Sequence, residues 1–325
     1  MSDTLRAHLA TFDRIRKPGA YAYERVSDHV GGVHGTHIVF GSLVHGDEVG
    51  SLPAVIRVIE ALNQGTLKFG GRVTFFVGNP EAGLAGVRFL ESDLNRVFVD
   101  SAADDHEGRR ARQLRPILDD ADVFIDLHQT IEETSNAFYI FPFGVEGWHW
   151  ARAIAATPMW VTRSPEASFS AGACCADEYV RLRGKPGITI ELSQRGFGNG
   201  GEERAYKAIV DTLAIADAVA AGTTTLAAAA EAKPEIAFLQ TTHRELFTSD
   251  ALALRPGLTN FQTVQEGELL SAPGTPELRA PATGWVLFPK YPPRVDGVYK
   301  KPLPGEIYRI IEPLPGHPLD LYNLR

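Results

Sequence analysis

Between residues 30 and 220 the chain alternates two hydrophobic periods. Short β-branched apolar runs of strand type give way to stretches whose apolar residues recur every three or four positions, as on a helix face. Thr36 to Val44 predicts a strand, and Leu52 to Leu62 predicts a helix with Pro53 in its first turn, where the missing N–H costs nothing. Arg72 to Val77 is the next strand, broken by Gly78-Asn79-Pro80, and an Arg-rich helix from His106 to Leu118 leads into a strand from Asp122 to His128. Ala137 to Phe141 predicts a further strand, and Trp148 to Ala155 and Ala176 to Arg183 predict helices. A strand from Gly187 to Glu191 and a helix from Glu202 to Ala221 complete this part. Such alternation places a mixed, largely parallel sheet between flanking helices, an α/β architecture.

The grammar changes near residue 232. The Thr/Ala-rich stretch Gly222 to Glu231, followed by Pro234, reads as a linker or as the frayed end of the preceding helix. Beyond Ile236 there are short strand-like runs (Phe261 to Leu270, Ala280 to Pro289 and Gly305 to Ile311), many Pro and Gly, and no helical period. The expectation is an α/β domain over residues 1–232 and a smaller all-β domain over 233–325, with no internal repeat.

A chain of 325 residues that is 44% hydrophobic has ample material for both cores. The net charge of −8 and the lack of a basic run exclude a phosphate backbone as the natural partner, so no nucleic acid is expected. The apolar runs are far shorter than the ~20 residues of a membrane span, and Met1-Ser2-Asp3-Thr4 lacks a signal-peptide core. A cytoplasmic protein without a membrane partner is expected, and a homo-oligomer is left open. The two cysteines, Cys174 and Cys175, are neighbours, too close for a relaxed disulfide, and read as small buried residues.

Candidate chemistry gathers where apolar runs stop. His45-Gly46-Asp47-Glu48 follows the first strand and offers an imidazole and a carboxylate three residues apart, a donor pair suited to zinc. His128 ends a second run and supplies a third donor. Glu191 ends a third run and supplies a carboxylate placed to act as a base. In open α/β sheets the functional crevice lies at the carboxyl ends of the strands, so these groups are expected to share one site. Between them lies Arg88 to Phe98, with two arginines and an asparagine; guanidinium forks beside a metal suit an acidic substrate.

With these pieces in hand, the chain resembles the succinylglutamate desuccinylase and aspartoacylase family of zinc hydrolases, relatives of the zinc carboxypeptidases. The resemblance rests on His45-Gly46-Asp47-Glu48, Gly78-Asn79-Pro80, Arg88 with Asp93-Leu94-Asn95-Arg96, Asp126-Leu127-His128 and Ile190-Glu191-Leu192, in the family's order. It is clear over residues 35 to 200 and looser toward the β-rich end. It implies a zinc carboxypeptidase-like fold and one zinc ion per chain on His45, Glu48 and His128. It also implies Glu191 as general base and later acid, and Arg88 polarising the scissile carbonyl. Asn95 and Arg96 would hold the carboxylate of a small N-acyl amino acid substrate, and Arg181, ten residues before Glu191, lines up with a further substrate-binding arginine. Asp126 suits either a role in orienting a ligand or that of a strand-end cap.

There are departures from the family. Members that remove succinyl groups carry an arginine soon after the Asp-Leu-His motif, whereas Glu132 and Glu133 follow here, which disfavours a doubly anionic succinylated amino acid. The family's C-terminal tyrosine is not assigned to Tyr299 or Tyr308. The expected activity is a zinc-dependent deacylase acting on a linear amide bond. The alternatives are a metallocarboxypeptidase acting on short peptides and a catalytically silent binding module on the same scaffold.

Overall fold

A computed structural model describes residues 2–17, 19, 21–27, 34–167, 169, 172–295, 298–299 and 303–324. Helix α1 (Ser2–Ile15) and strand β1 (Ala22–Val26) precede the alternating part. That part comprises β2 (His37–Ser42), α2 (Leu52–Gln64), β3 (Arg72–Val77), α3 (Pro80–Ala85), α4 (His106–Asp120), β4 (Val123–Thr130), β5 (Phe138–Ile140), α5 (Val145–Ile154), β6 (Met159–Thr162), α6 (Ala176–Arg181), β7 (Gly187–Gln194) and α7 (Gly201–Ala220). There follow α8 (Leu226–Glu231), β8 (Ala237–Leu246), β9 (Thr263–Val264), β10 (Gly284–Leu287), β11 (Arg294–Val295), β12 (Val298–Tyr299), β13 (Glu306–Pro313) and α9 (Pro318–Leu321).

Eleven strands form one sheet in the order β1-β3-β2-β4-β7-β5-β6-β8-β13-β10-β9. The centre, β3-β2-β4-β7, is parallel, as βαβ units require, while β5 runs antiparallel to β7. The mixed α/β fold expected from the sequence is present. Strand β8 pairs in parallel with β6 through Met159↔Ala237 and antiparallel with β13 through Leu239↔Pro313, so the sheet continues from the α/β part into the β-rich end.

Strand alternation sorts the central residues onto two faces. Ile38, Phe40, Ile125, Leu127, Ile188 and Ile190 point into a core covered by α1, α2, α5 and α7. Val39, Phe76 and Phe124 point the other way, against Leu114 and Leu118 of α4 and Tyr179 and Val180 of α6. Each such fully buried side chain contributes roughly 1.5–3 kcal/mol relative to exposure. The β-rich end has its own core around Leu252, Leu258, Val286, Tyr308 and Ile310.

Two expectations need correcting. Residues 222–231 are not merely a linker. Leu226–Glu231 is a helix because the Thr225 hydroxyl accepts the Ala228 N–H and a run of alanines continues from that cap. Neither His128 nor Glu191 is the last residue of its strand. Gln129-Thr130 on β4 and Leu192-Ser193-Gln194 on β7 continue the strands, with a register shift just beyond the His128↔Glu191 pair.

Candidate active site

Leu43, directly after β2, is fully buried and adopts φ +55°, a left-handed turn that costs a branched side chain energy. That turn swings His45-Gly46-Asp47-Glu48 over the ends of β2 and β4. Gly46 is required there, since a Cβ would lie 2.4 Å from the Ala82 carbonyl carbon. Asn79 of Gly78-Asn79-Pro80 caps α3 by accepting the Ala82 N–H and donates to Glu107 Oε1 at 2.8 Å. Glu107 in turn accepts the backbone N–H groups of Leu90, Glu91 and Ser92, which fixes the segment that carries Arg88 and Asp93.

These elements bring His45, Glu48 and His128 together, all buried, with ligand atoms within 4.8 Å of one another. The Glu48 carboxylate sits between the two imidazoles, Oε1 at 2.7 Å from His45 Nδ1 and Oε2 at 2.8 Å from His128 Nδ1. Burial alone would raise the Glu48 carboxyl, but the imidazoles override it and hold it well below the usual carboxylate range. Burial would likewise depress His128, yet Asp126 and Glu48 push it well above the ordinary imidazole value. Asp126, on the same face of β4, places Oδ2 2.9 Å from His128 Nε2, although neither of its oxygens has a hydrogen-bond partner among the described residues. His45 Nε2 faces Asp93 Oδ1 at 3.1 Å and Arg88 Nη2 at 2.7 Å, so one of the two is its partner in either tautomer.

Glu191 stands opposite His128 on β7. It is buried, its Oε2 has no hydrogen-bond partner among the described residues, and burial followed by the nearby Glu48 charge pushes its carboxyl up to about 7. Two imidazole nitrogens and the Glu48 carboxylate, converging within 4.8 Å, are a donor set that fits a divalent cation of zinc's preferences, with Glu191 on the neighbouring strand outside that set.

Arg88 donates to Glu48 Oε1 at 3.0 Å and to Asp93 Oδ2 at 3.3 Å. Burial opposes charge on Asp93, but Arg88 and His45 hold its carboxyl well below the usual range. Asn95 Nδ2 lies 3.4 Å from His128 Nε2, while its Oδ1 accepts the Ala176 N–H at 2.8 Å. Arg96 reaches the Asn95 carbonyl at 2.6 Å and stacks over Phe169 at 4.7 Å. Arg88, Asp93, Asn95, Arg96 and Phe169 line one cavity of about 460 Å³ together with His45, Glu48, His128 and Glu191, a size that suits a small molecule.

Arg181 does not join them. On α6 its guanidinium donates to the Pro165 carbonyl and to Glu178, outside the cavity lining; Arg163, from the loop after β6, lines the cavity instead. The β-rich end adds Arg244, Lys290, Glu306 and Arg309 to the lining. None of these four, nor Arg163 or Asp177, carries a signal in the one-dimensional pattern. Asp93 has one, lying two residues before Asn95 in the Asp93-Leu94-Asn95-Arg96 motif.

Among the described residues no helix is long and apolar enough to cross a membrane. The profile of the Succinylglutamate desuccinylase/Aspartoacylase catalytic domain matches residues 35–218. A succinylglutamate desuccinylase of Pseudomonas paraeruginosa is 31% identical over 176 residues, which are 50% of this chain and 48% of that protein. The chain thus spans about half the length of the curated relatives it matches. In three dimensions it is similar to Vibrio cholerae succinylglutamate desuccinylase (TM-score 0.66, 18% identity, 91% of this chain and 86% of that one). It is also similar to murine aminoacylase 3 (TM-score 0.60, 18% identity, 86% of this chain and 95% of that one).

Proposed function

The chain belongs to the succinylglutamate desuccinylase/aspartoacylase family of hydrolases, and from that premise we propose that it is a zinc-dependent amidohydrolase cleaving the amide bond of an N-acyl amino acid. One observation carries the reading: the buried carboxylate of Glu191, whose Oε2 has no hydrogen-bond partner among the described residues, sits across the strand pair from His128, in the same cavity as His45 and Glu48. His45, Glu48 and His128 would hold the ion, with Asp126 behind His128 and Asp93 behind His45 fixing the imidazoles. Zinc held there would supply Lewis acidity and lower the pKa of the attacking water toward neutrality.

The remaining chemistry belongs to side chains. Glu191 takes a proton from the attacking water and returns it to the departing amine; a carboxyl pushed up to about 7 by burial is matched to both transfers. Arg88 offers its fork to the carbonyl oxygen as negative charge develops there. Asn95 and Arg96 hold the substrate carboxylate, with Phe169 stacked on the Arg96 guanidinium keeping it in place. Arg181 has no part in this assignment, because it lies outside the cavity lining, with Nη1 and Nη2 turned to the Pro165 carbonyl and Glu178. The division into an α/β domain over 1–232 and a β-rich domain over 233–325 belongs to the same proposal, the second supplying one wall of the cavity.

The test measures metal content and hydrolysis on one preparation. We expect one equivalent of zinc per chain, and release of amine from an N-acetyl, N-succinyl or longer N-acyl amino acid that stops on chelation and resumes on zinc addition. Hydrolysis indifferent to chelation, or a zinc-loaded protein inert toward the whole panel, overturns the proposal.

A further inference from the structure

A second cavity, of about 230 Å³, shares no residue with the first and lies between the chain just before β1 and the first turns of α3 and α4, with Tyr21, Glu81, His106, Arg109, Arg110 and Gln113 in its lining. Arg110 is the residue there that most needs explaining. It is 7% exposed, and its guanidinium donates to the Gly78 and Val77 carbonyls, both at 2.7 Å, and to Gln113 Oε1 at 2.9 Å. All three acceptors are neutral. Among the described residues no carboxylate comes within ion-pair distance of Arg110, and burial pulls its guanidinium down to about 10. Buried cations are ordinarily paired, because desolvation without a counter-charge is costly. Three of the five N–H groups of a guanidinium are engaged here, so two are left to donate.

The rest of the lining offers donors rather than acceptors. Arg109 is exposed, gives one N–H to the Asp104 carbonyl and likewise has no ion pair among the described residues. His106 Nε2 is shielded from solvent and has no hydrogen-bond partner among the described residues. Glu81, the one carboxylate in the lining, approaches that nitrogen only to 3.9 Å, and its side chain is 59% exposed. Gln113 turns its oxygen to Arg110, which leaves its amide nitrogen as a further donor.

The same residues flank the post that fixes the active-site segment. Arg110 holds the Val77 and Gly78 carbonyls, directly before Asn79, and Asn79 donates to Glu107. Glu107 lies between His106 and Arg110 on α4 and accepts the N–H groups of Leu90, Glu91 and Ser92, which stand between Arg88 and Asp93.

We propose that this cavity is a second ligand site, for a small oxyanion held by Arg110, Arg109 and His106, and that its occupancy steadies the Arg88–Asp93 segment through Asn79 and Glu107. The oxyanion is a phosphate or carboxylate group, whose oxygens match guanidinium forks and supply the counter-charge that Arg110 lacks. The site lies outside the reacting cavity, so it does not rest on the amidohydrolase reading.

In the experiment, sodium phosphate and sodium acetate are titrated calorimetrically, at constant ionic strength, into zinc-loaded wild type, Arg109→Met, Arg110→Met and His106→Gln. Hydrogen exchange of the Leu90, Glu91 and Ser92 amides is followed with and without the anion. The wild type is expected to bind at least one of the two, and each Met substitution to weaken that binding by about tenfold or more, the order of one charge-assisted contact. His106→Gln should weaken it less. At an anion concentration about ten times Kd the three amides should exchange about tenfold more slowly in the wild type, and unchanged in Arg109→Met. Because Arg110 also ties down the end of β3, the exposed Arg109 keeps the test sound if Arg110→Met does not fold. Tighter phosphate points to a phosphorylated ligand and tighter acetate to a carboxylic acid, and either supports the site. No binding of either anion at millimolar concentration overturns it, as does binding that all three substitutions leave unchanged, which places the anion in the active-site cavity. Binding that needs Arg109 while the three amides exchange as before overturns the coupling.

Discussion

The two walls of the cavity are built in opposite ways. The wall at the ends of β2, β4 and β7 places His128 and Glu191 on paired neighbouring strands and His45 and Glu48 on the buried turn after β2, with the Glu48 carboxylate held between the two imidazoles. The wall from the β-rich end and the loop after β6 places Arg163 and Lys290 on loops and Arg309 within the interior strand β13, all against ring faces. The first arrangement fixes donor geometry to fractions of an ångström, as bond-making demands. The second relies on side chains that reach into the cavity from separate segments. Under the proposed function, the reaction belongs to the first wall.

The largest expected effect tests that division directly. Glu191→Gln keeps shape and removes the base, and should lower kcat by about 10²–10⁴ for every substrate alike. A loss that differs tenfold or more between two N-acyl amino acid substrates breaks the comparison. Next in size is Asp126→Asn, which removes the charge behind His128 without changing volume. Metal affinity, read by competition with a chromogenic chelator, should fall about 10–100-fold, and unaltered affinity would remove Asp126 from the metal wall.

The smallest effect sharpens the comparison by stability. Glu107→Gln leaves one acceptor oxygen where three backbone N–H groups and Asn79 need two, and should cost about 1–3 kcal/mol in urea unfolding at pH 7. Burial opposes the charge on Glu107, but those N–H donors depress its carboxyl below the ordinary value. Its stabilisation is therefore full above the unfolded carboxyl's pKa of about 4.3 and is lost as pH falls through the lower folded value. A gap between the two proteins that widens on acidification contradicts this sign.

The two walls also differ in how far the sequence discloses them. His45, Glu48, His128 and Glu191 follow or interrupt apolar runs, so strand-end logic finds them, and the α/β order of elements finds the sheet. The pairing of His128 with Glu191 is a register between β4 and β7 that neither strand encodes alone. Strand β8 escaped because only Leu239 of its ten residues is fully buried, which blurs the apolar alternation. Arg163 and Lys290 are isolated charges in Pro-containing loops, with no period to expose them, and they share a cavity wall only in the folded chain, beside Phe169 and Phe288. Arg181, expected from its alignment with a family arginine, lies outside the cavity lining. One turn of α6 aims it at the Pro165 carbonyl, and ten residues of separation from Glu191 say nothing about direction.

Because β8 keeps the sheet continuous, β7 and β13 are separated by a whole number of hydrogen-bonded steps, four in this order, each about 4.8 Å. Such a frame works like a ruler with coarse divisions: neither wall slides by a fraction of a step without breaking a ladder. Fine tuning of reach across the gap therefore falls to side-chain length, and exchanging lysine for arginine at position 290 is the natural unit in which a chain of this kind retunes what it admits.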